Sequence, residues 1–156
     1  MLKTHYFWRL TALAALCCSL PVMAADTPYQ PSAGERLVTA RKAIEARDWR
    51  TALWELRGAE LDEPRNADVQ NLLGYTVRKS EPPDLPRAFE HYKRALQIDP
   101  LHKGALEYIG EAYLMVNQPE EARKHLAQLA TACGNTTCEE YVDLAKAIEA
   151  YQAQKR

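Results

Sequence analysis

From Gly34 almost to the C-terminus, apolar residues recur every three or four positions, and no stretch of alternating β-branched residues rivals that pattern. The periodicity predicts an all-α chain of seven helices. The first runs from about Ser32 to Ala46, with Ser32 and Glu35 spaced as a capping box. The second is capped by Asp48 and runs to about Leu61, where Asp62, Glu63 and Pro64 stop it, because proline cannot continue the hydrogen-bond ladder. The third covers Ala67 to Lys79. The proline-rich turn Ser80–Pro86 leads to a fourth helix, capped by Asp84 and ended by Asp99-Pro100. The fifth spans about His102 to Val116, and Asn117 turns the chain. The sixth opens at Pro119 and closes at Gly134. The seventh begins at Thr136 or Thr137, each with a glutamate three residues on, and runs to about Ala153.

The helices repeat in pairs. Ala88, Tyr92, Ala95 and Pro100 have counterparts 36 residues earlier in Ala52, Leu56, Ala59 and Pro64, and 34 residues later in Ala122, Leu126 and Leu129, where Gly134 takes the proline position. The first helix of each pair carries a small residue at a matching offset: Ala40, then Gly74 after Leu73, then Gly110 after Ile109. Small residues at fixed offsets let two helices approach, and the large residues between them fill the gaps to the next pair. A period near 34 marks stacked helical hairpins, which must pack on their neighbours because none buries its own apolar face. Two extra residues fall in the turn between Gly74 and Ala88, where an insertion costs little.

These residues resemble the tetratricopeptide repeat (TPR) family. The resemblance implies a right-handed solenoid of three hairpins, 33–66, 67–102 and 103–136, closed by a capping helix over 137–154. In that cap Tyr141, Leu144, Ala145, Ile148 and Tyr151 form one stripe, and Glu140, Asp143, Lys146, Glu149 and Gln152 cover the rest. The tail from Cys133 to Tyr141 is similar to the end of small exported bacterial TPR proteins. Family geometry implies a concave groove lined by the first helices: Leu37, Arg41 and Ile44; Asn71, Tyr75, Arg78 and Lys79; Glu107, Tyr108, Glu111, Leu114 and Met115. Aromatic, amide and charged groups of both signs suit a protein or peptide partner. They equally suit a solvated face. Some TPR domains clamp a C-terminal carboxylate with Lys, Asn and Arg. The matching positions here hold Leu37, Arg41, Leu72, Gly104 and Tyr108, so no clamp is expected.

The N-terminus changes the picture. Lys3 and Arg9, the apolar run Leu10–Leu20, Pro21 and the close Val22-Met23-Ala24 form the three-part pattern of a signal peptide over 1–24, cut after Ala24, with an extended lead-in over 25–32. An uncleaved anchor is the alternative. Leu16 before Cys17, and Cys17 before Cys18, are wrong for lipid attachment. Bacterial export implies a periplasmic or secreted protein, with no membrane attachment after cleavage. The remaining chain keeps 18 basic residues against 21 acids, a formal charge of −3, which offers no nucleic-acid footprint. The composition leaves oligomeric state open.

Little else points to chemistry. There is no phosphate loop and no nucleophile in a recognisable context, so no catalytic residue, cofactor or enzyme activity is expected. His91, His102 and His125 lie in separate helices without metal-ligand spacing. Cys133 and Cys138 flank a turn at a bridging distance. Export and an even count favour a structural disulfide, with a redox pair or a soft metal site as the alternative.

Overall fold

The computed structural model describes residues 29–155. The expected signal segment and the start of the lead-in lie outside the described residues. Seven helices are present among them: α1 Ala33–Glu45, α2 Trp49–Asp62, α3 Ala67–Lys79, α4 Leu85–Ile98, α5 Lys103–Met115, α6 Pro119–Cys133 and α7 Glu139–Gln154. Each start has a local cause. Ser32 and Glu35 form a full capping box on α1. Asp48, Asn66 and Asp84 accept from the backbone N–H three residues on, at α2, α3 and α4. Gly134, at φ 67°, ends α6 in the left-handed conformation that glycine adopts without strain. The turns α1–α2 and α5–α6 pivot on left-handed Arg47 and Asn117, which sit at equivalent repeat positions.

The start of α7 differs from the threonine cap expected for it. Cys138 is the N-cap residue, and no side chain caps the helix. Asn135 takes that work upstream: its Oδ1 accepts from the backbone N–H groups of Thr137 and Cys138, closing the turn before the helix begins.

Helices pair as α1·α2, α3·α4 and α5·α6, and successive hairpins stack through α2·α3, α4·α5 and α3·α5. The repeat residues are what this stacking buries. Ala52, Leu56, Ala59, Ala88, Tyr92, Ala95, Ala122 and Leu129 are all fully buried. A Cβ on Gly74 would stand 2.6 Å from the Tyr92 ring, so glycine there sets the closeness of α3 to α4. The glycine of the third repeat has a different neighbour. A Cβ on Gly110 would stand 2.6 Å from Leu144 of α7, so glycine there admits the cap helix.

α7 packs against both α5 and α6, burying Leu144 and Ile148 with Leu106, Ala122 and Leu129. Its far end is tied back by Tyr151 and Lys155, which both donate to Asn117 Oδ1. No helix among the described residues is long and apolar enough to cross a membrane.

Candidate functional site

α3 and α5 lie side by side on one face of the stack, and their side chains build the centre of the groove. Tyr75 and Tyr108, both half-buried, meet with ring centroids 4.8 Å apart. Trp49, at the start of α2, comes edge-on to Tyr75 at 6.5 Å, a neighbour that repeat spacing does not reveal. Arg78 lies behind the pair, its guanidinium 5.5 Å from the Tyr75 ring and 5.6 Å from that of Tyr108.

Arg78 is not a free groove charge, contrary to the expectation from sequence. It is 5 % exposed. Its Nε donates to Tyr92 Oη at 3.1 Å, and its Nη2 lies 2.6 Å from Glu111 Oε2. Burial alone would disfavour the cation. Tyr92 and Glu111 outweigh it and leave the guanidinium more firmly protonated than usual. The same burial raises the Tyr92 hydroxyl well above the ordinary phenol value. Lys79 and Met115 stay at the edge: Lys79 Nζ is 5.7 Å from the Tyr75 ring, and Met115 is half exposed.

Toward the cap helix the groove deepens into a cavity of about 320 Å³, lined by Arg41, Asp68, Asn71, Leu72, His102, Gly104, Glu107, Tyr108, Glu139, Glu140 and Asp143. Three of these, Glu139, Glu140 and Asp143, come from α7. At one side Asp68 gathers Arg41 Nη2 at 3.5 Å and His102 Nε2 at 3.0 Å. His102 Nδ1 accepts from the Ala105 N–H, so the ring proton that reaches Asp68 is on Nε2. Glu107, on the floor, is 9 % exposed. Burial, with Glu111, Asp143 and Glu140 nearby, pushes its carboxyl up to about 8 against only partial opposition from Arg78. A second hollow, of about 300 Å³, lies beyond Tyr75 among Arg47, Trp49, Lys79 and Glu81.

Other expected groove residues turn inward. Leu37 and Ile44 pack on the α1–α3 core, and Leu114 packs on the core shared by α5, α6 and α7. The reason is geometric: a first helix must bury about half its circumference between its own partner and the next hairpin, and these positions fall on that half. A larger, more open hollow of about 540 Å³ lies away from these residues, between α4 and the α5–α6 turn, with Phe89 and Tyr113 in its wall.

Cys133 and Cys138 are disulfide-bonded, with Cα atoms 6.3 Å apart. Glu140 lies beside them, with its carboxylate within 4.8 Å of the sulfurs. A bonded pair presents no thiolate to a metal. His91 bonds Gln70, and His125 stacks on Tyr113 and bonds Gln128, so each already has a local role.

Comparisons with known proteins agree with the fold. The family model for the tetratricopeptide repeat matches residues 84–136. Among solved structures, the chain is similar to the TPR2B domain of yeast Sti1, seen in its complex with pHsp70. That match has a TM-score of 0.68 at 17% identity and covers 80% of this chain and 98% of that one. It is also similar to the C-terminal TPR-containing domain of an FK506-binding protein of Plasmodium falciparum, with a TM-score of 0.56 at 20% identity, covering 83% of this chain and 98% of that one. No curated protein matches the chain in sequence.

Proposed function

We propose that this chain, a tetratricopeptide-repeat protein, is an exported, non-enzymatic scaffold that binds a protein or peptide through the groove formed by α3, α5 and the start of α7. The observation that carries the reading is the Tyr75–Tyr108 pair. Two half-exposed rings are held in contact over a buried arginine that bonds Tyr92 and pairs with Glu111. A rigid aromatic pair of this kind loses little entropy on binding and suits a hot spot. The structural relatives are consistent with it, one having been solved in complex with pHsp70.

Support for export is the N-terminal pattern of Lys3, Arg9 and the apolar run to Leu20, and export from a bacterial cell would mean a periplasmic or secreted protein. The disulfide fits such a compartment. A redox or metal role for Cys133 and Cys138 would require the pair to be reduced in the native protein. Thiol titration of exported material distinguishes the two readings.

The test of the groove is comparative capture of the native partner. Tyr75→Ala should lose it, whereas Lys93→Ala and Lys124→Ala, on the second helices, should retain it. Loss through the lysine variants alone would place recognition on the opposite surface.

A further inference from the structure

We infer that the cavity between α3, α5 and the start of α7 receives a basic side chain, a lysine or an arginine, projecting from the bound polypeptide. This rests on the groove reading above and adds the chemistry of one subsite.

Charge is the first argument. Five carboxylates line the cavity, those of Asp68, Glu107, Glu139, Glu140 and Asp143, against Arg41 and His102. Both of the latter are already held by Asp68. Four carboxyl groups are left, with the proton still on Glu107 at neutral pH. Lys146 reaches only Asp143, at 3.5 Å along the exposed face of α7. Arg78, whose charge acts on Glu107, is engaged by Glu111. An anionic ligand would meet this excess of like charge and be repelled.

The second argument is independent of charge. Asn71 lines the same cavity, is only 6 % exposed, and its side-chain carbonyl has no hydrogen-bond partner among the described residues. Buried acceptors are rarely left unpaired, and the group missing here is a donor. An ammonium or guanidinium carries several donors and no acceptor, which matches an amide carbonyl and carboxylates around one cavity. About 320 Å³ holds such a side chain, and the Tyr108 ring in the wall can lie against its alkyl stem.

The Glu107 carboxyl adds a signature. With its affinity for a proton raised to about 8 by burial and by Glu111, Asp143 and Glu140, it is mostly protonated at neutral pH. A cation seated beside it favours the carboxylate, so the proton leaves to solvent as the side chain enters. Binding should therefore tighten as pH rises toward 8.

The experiment is an NMR titration of the purified protein with N-acetylated, C-amidated pentapeptides Gly-Gly-X-Gly-Gly, where X is lysine, arginine, norleucine or glutamate. Lysine or arginine should give saturable shifts centred on the Asn71 side-chain amide and Glu107. Norleucine and glutamate should not. Asp143→Asn should weaken binding about fivefold, the effect of losing one partly screened charge. Glu107→Gln should weaken it and remove the pH dependence. If Glu107→Gln does not fold, Asp143→Asn, on the helix surface, carries the test. Equal shifts with norleucine overturn the inference. So does saturation by calcium chloride with displacement of the lysine peptide, which would make the cavity a metal site. Silence from both basic peptides also rejects it, while the wider groove reading stands or falls on capture by Tyr75.

Discussion

Gly110 of α5 faces Leu144 of α7 so closely that a Cβ on the glycine would lie 2.6 Å from Leu144 Cδ2. The contact joins the last repeat to its cap, and it makes the cap's seating depend on one missing side chain. Gly110→Leu should cost about 1–3 kcal/mol by overpacking, read from the denaturant midpoint. The Leu144→Ala background should recover part of that loss, because it vacates the space the new side chain needs. A cost identical in both backgrounds would show that the two residues do not meet.

Arg78 links three elements, since it bonds Tyr92 of α4 and Glu111 of α5 from its place on α3. Arg78→Ala should therefore destabilise by about 3 kcal/mol, most of it from leaving Glu111 and the buried Tyr92 hydroxyl without their partner. Arg78→Lys should rescue little, because a single ammonium cannot copy the fork that serves both. Full stability in the lysine variant would refute that role.

Glu107 predicts how stability follows pH. Its carboxyl rises from an ordinary value of 4.5 to about 8 on folding, so the folded chain holds a proton that the unfolded chain has released. That contribution is fully present below about pH 4.5 and is lost as pH climbs through about 8. Glu107→Gln should flatten the melting temperature across this window and melt higher than the parent on its alkaline side. Parallel pH profiles for the two proteins would contradict the assignment.

The disulfide closes a short loop, with the two cysteines five residues apart. In the chain-entropy picture such a loop contributes about 2 kcal/mol. Reduction should lower the melting temperature and leave far-ultraviolet circular dichroism unchanged, because α6 and α7 still pack through Leu129, Leu144 and Ile148. Loss of helicity on reduction would mean that the cap depends on the bond.

Much of the fold is legible in the sequence because its determinants are local. Ser32 with Glu35, Asp48, Asp84 and Gly134 mark helix ends within a few residues, and the buried alanines recur in phase. The site is less legible because its determinants are not local. Repeat spacing puts Arg78 on the groove side of α3, but the tyrosine and glutamate that engage it sit 14 and 33 residues away. The acids of α7 read as an outer face, since periodicity reports which residues share a stripe and not which neighbour the stripe meets. Gly110 misleads for a related reason: its spacing matches that of Gly74, yet its partner comes from the next element.

The groove tyrosines differ in how they can be tested. Tyr108 packs on the core around Tyr92, with those rings 6.4 Å apart, and burial holds its hydroxyl well above the ordinary phenol value. Tyr75 touches Tyr108 and Trp49 but lies outside that core cluster. Tyr108→Ala should therefore lose about 2 kcal/mol of stability, less than a fully buried aromatic would, and Tyr75→Ala appreciably less. A binding defect in Tyr108→Ala alone would be ambiguous, because a loosened α5 also disturbs the cavity at Glu107. Tyr75→Ala is the cleaner probe. If the rings form the anchor, it should weaken partner binding by 2 kcal/mol or more (roughly, as at hot spots) while its melting curve stays near the parent's. Unimpaired binding in a folded Tyr75→Ala protein would remove the aromatic pair from the recognition surface.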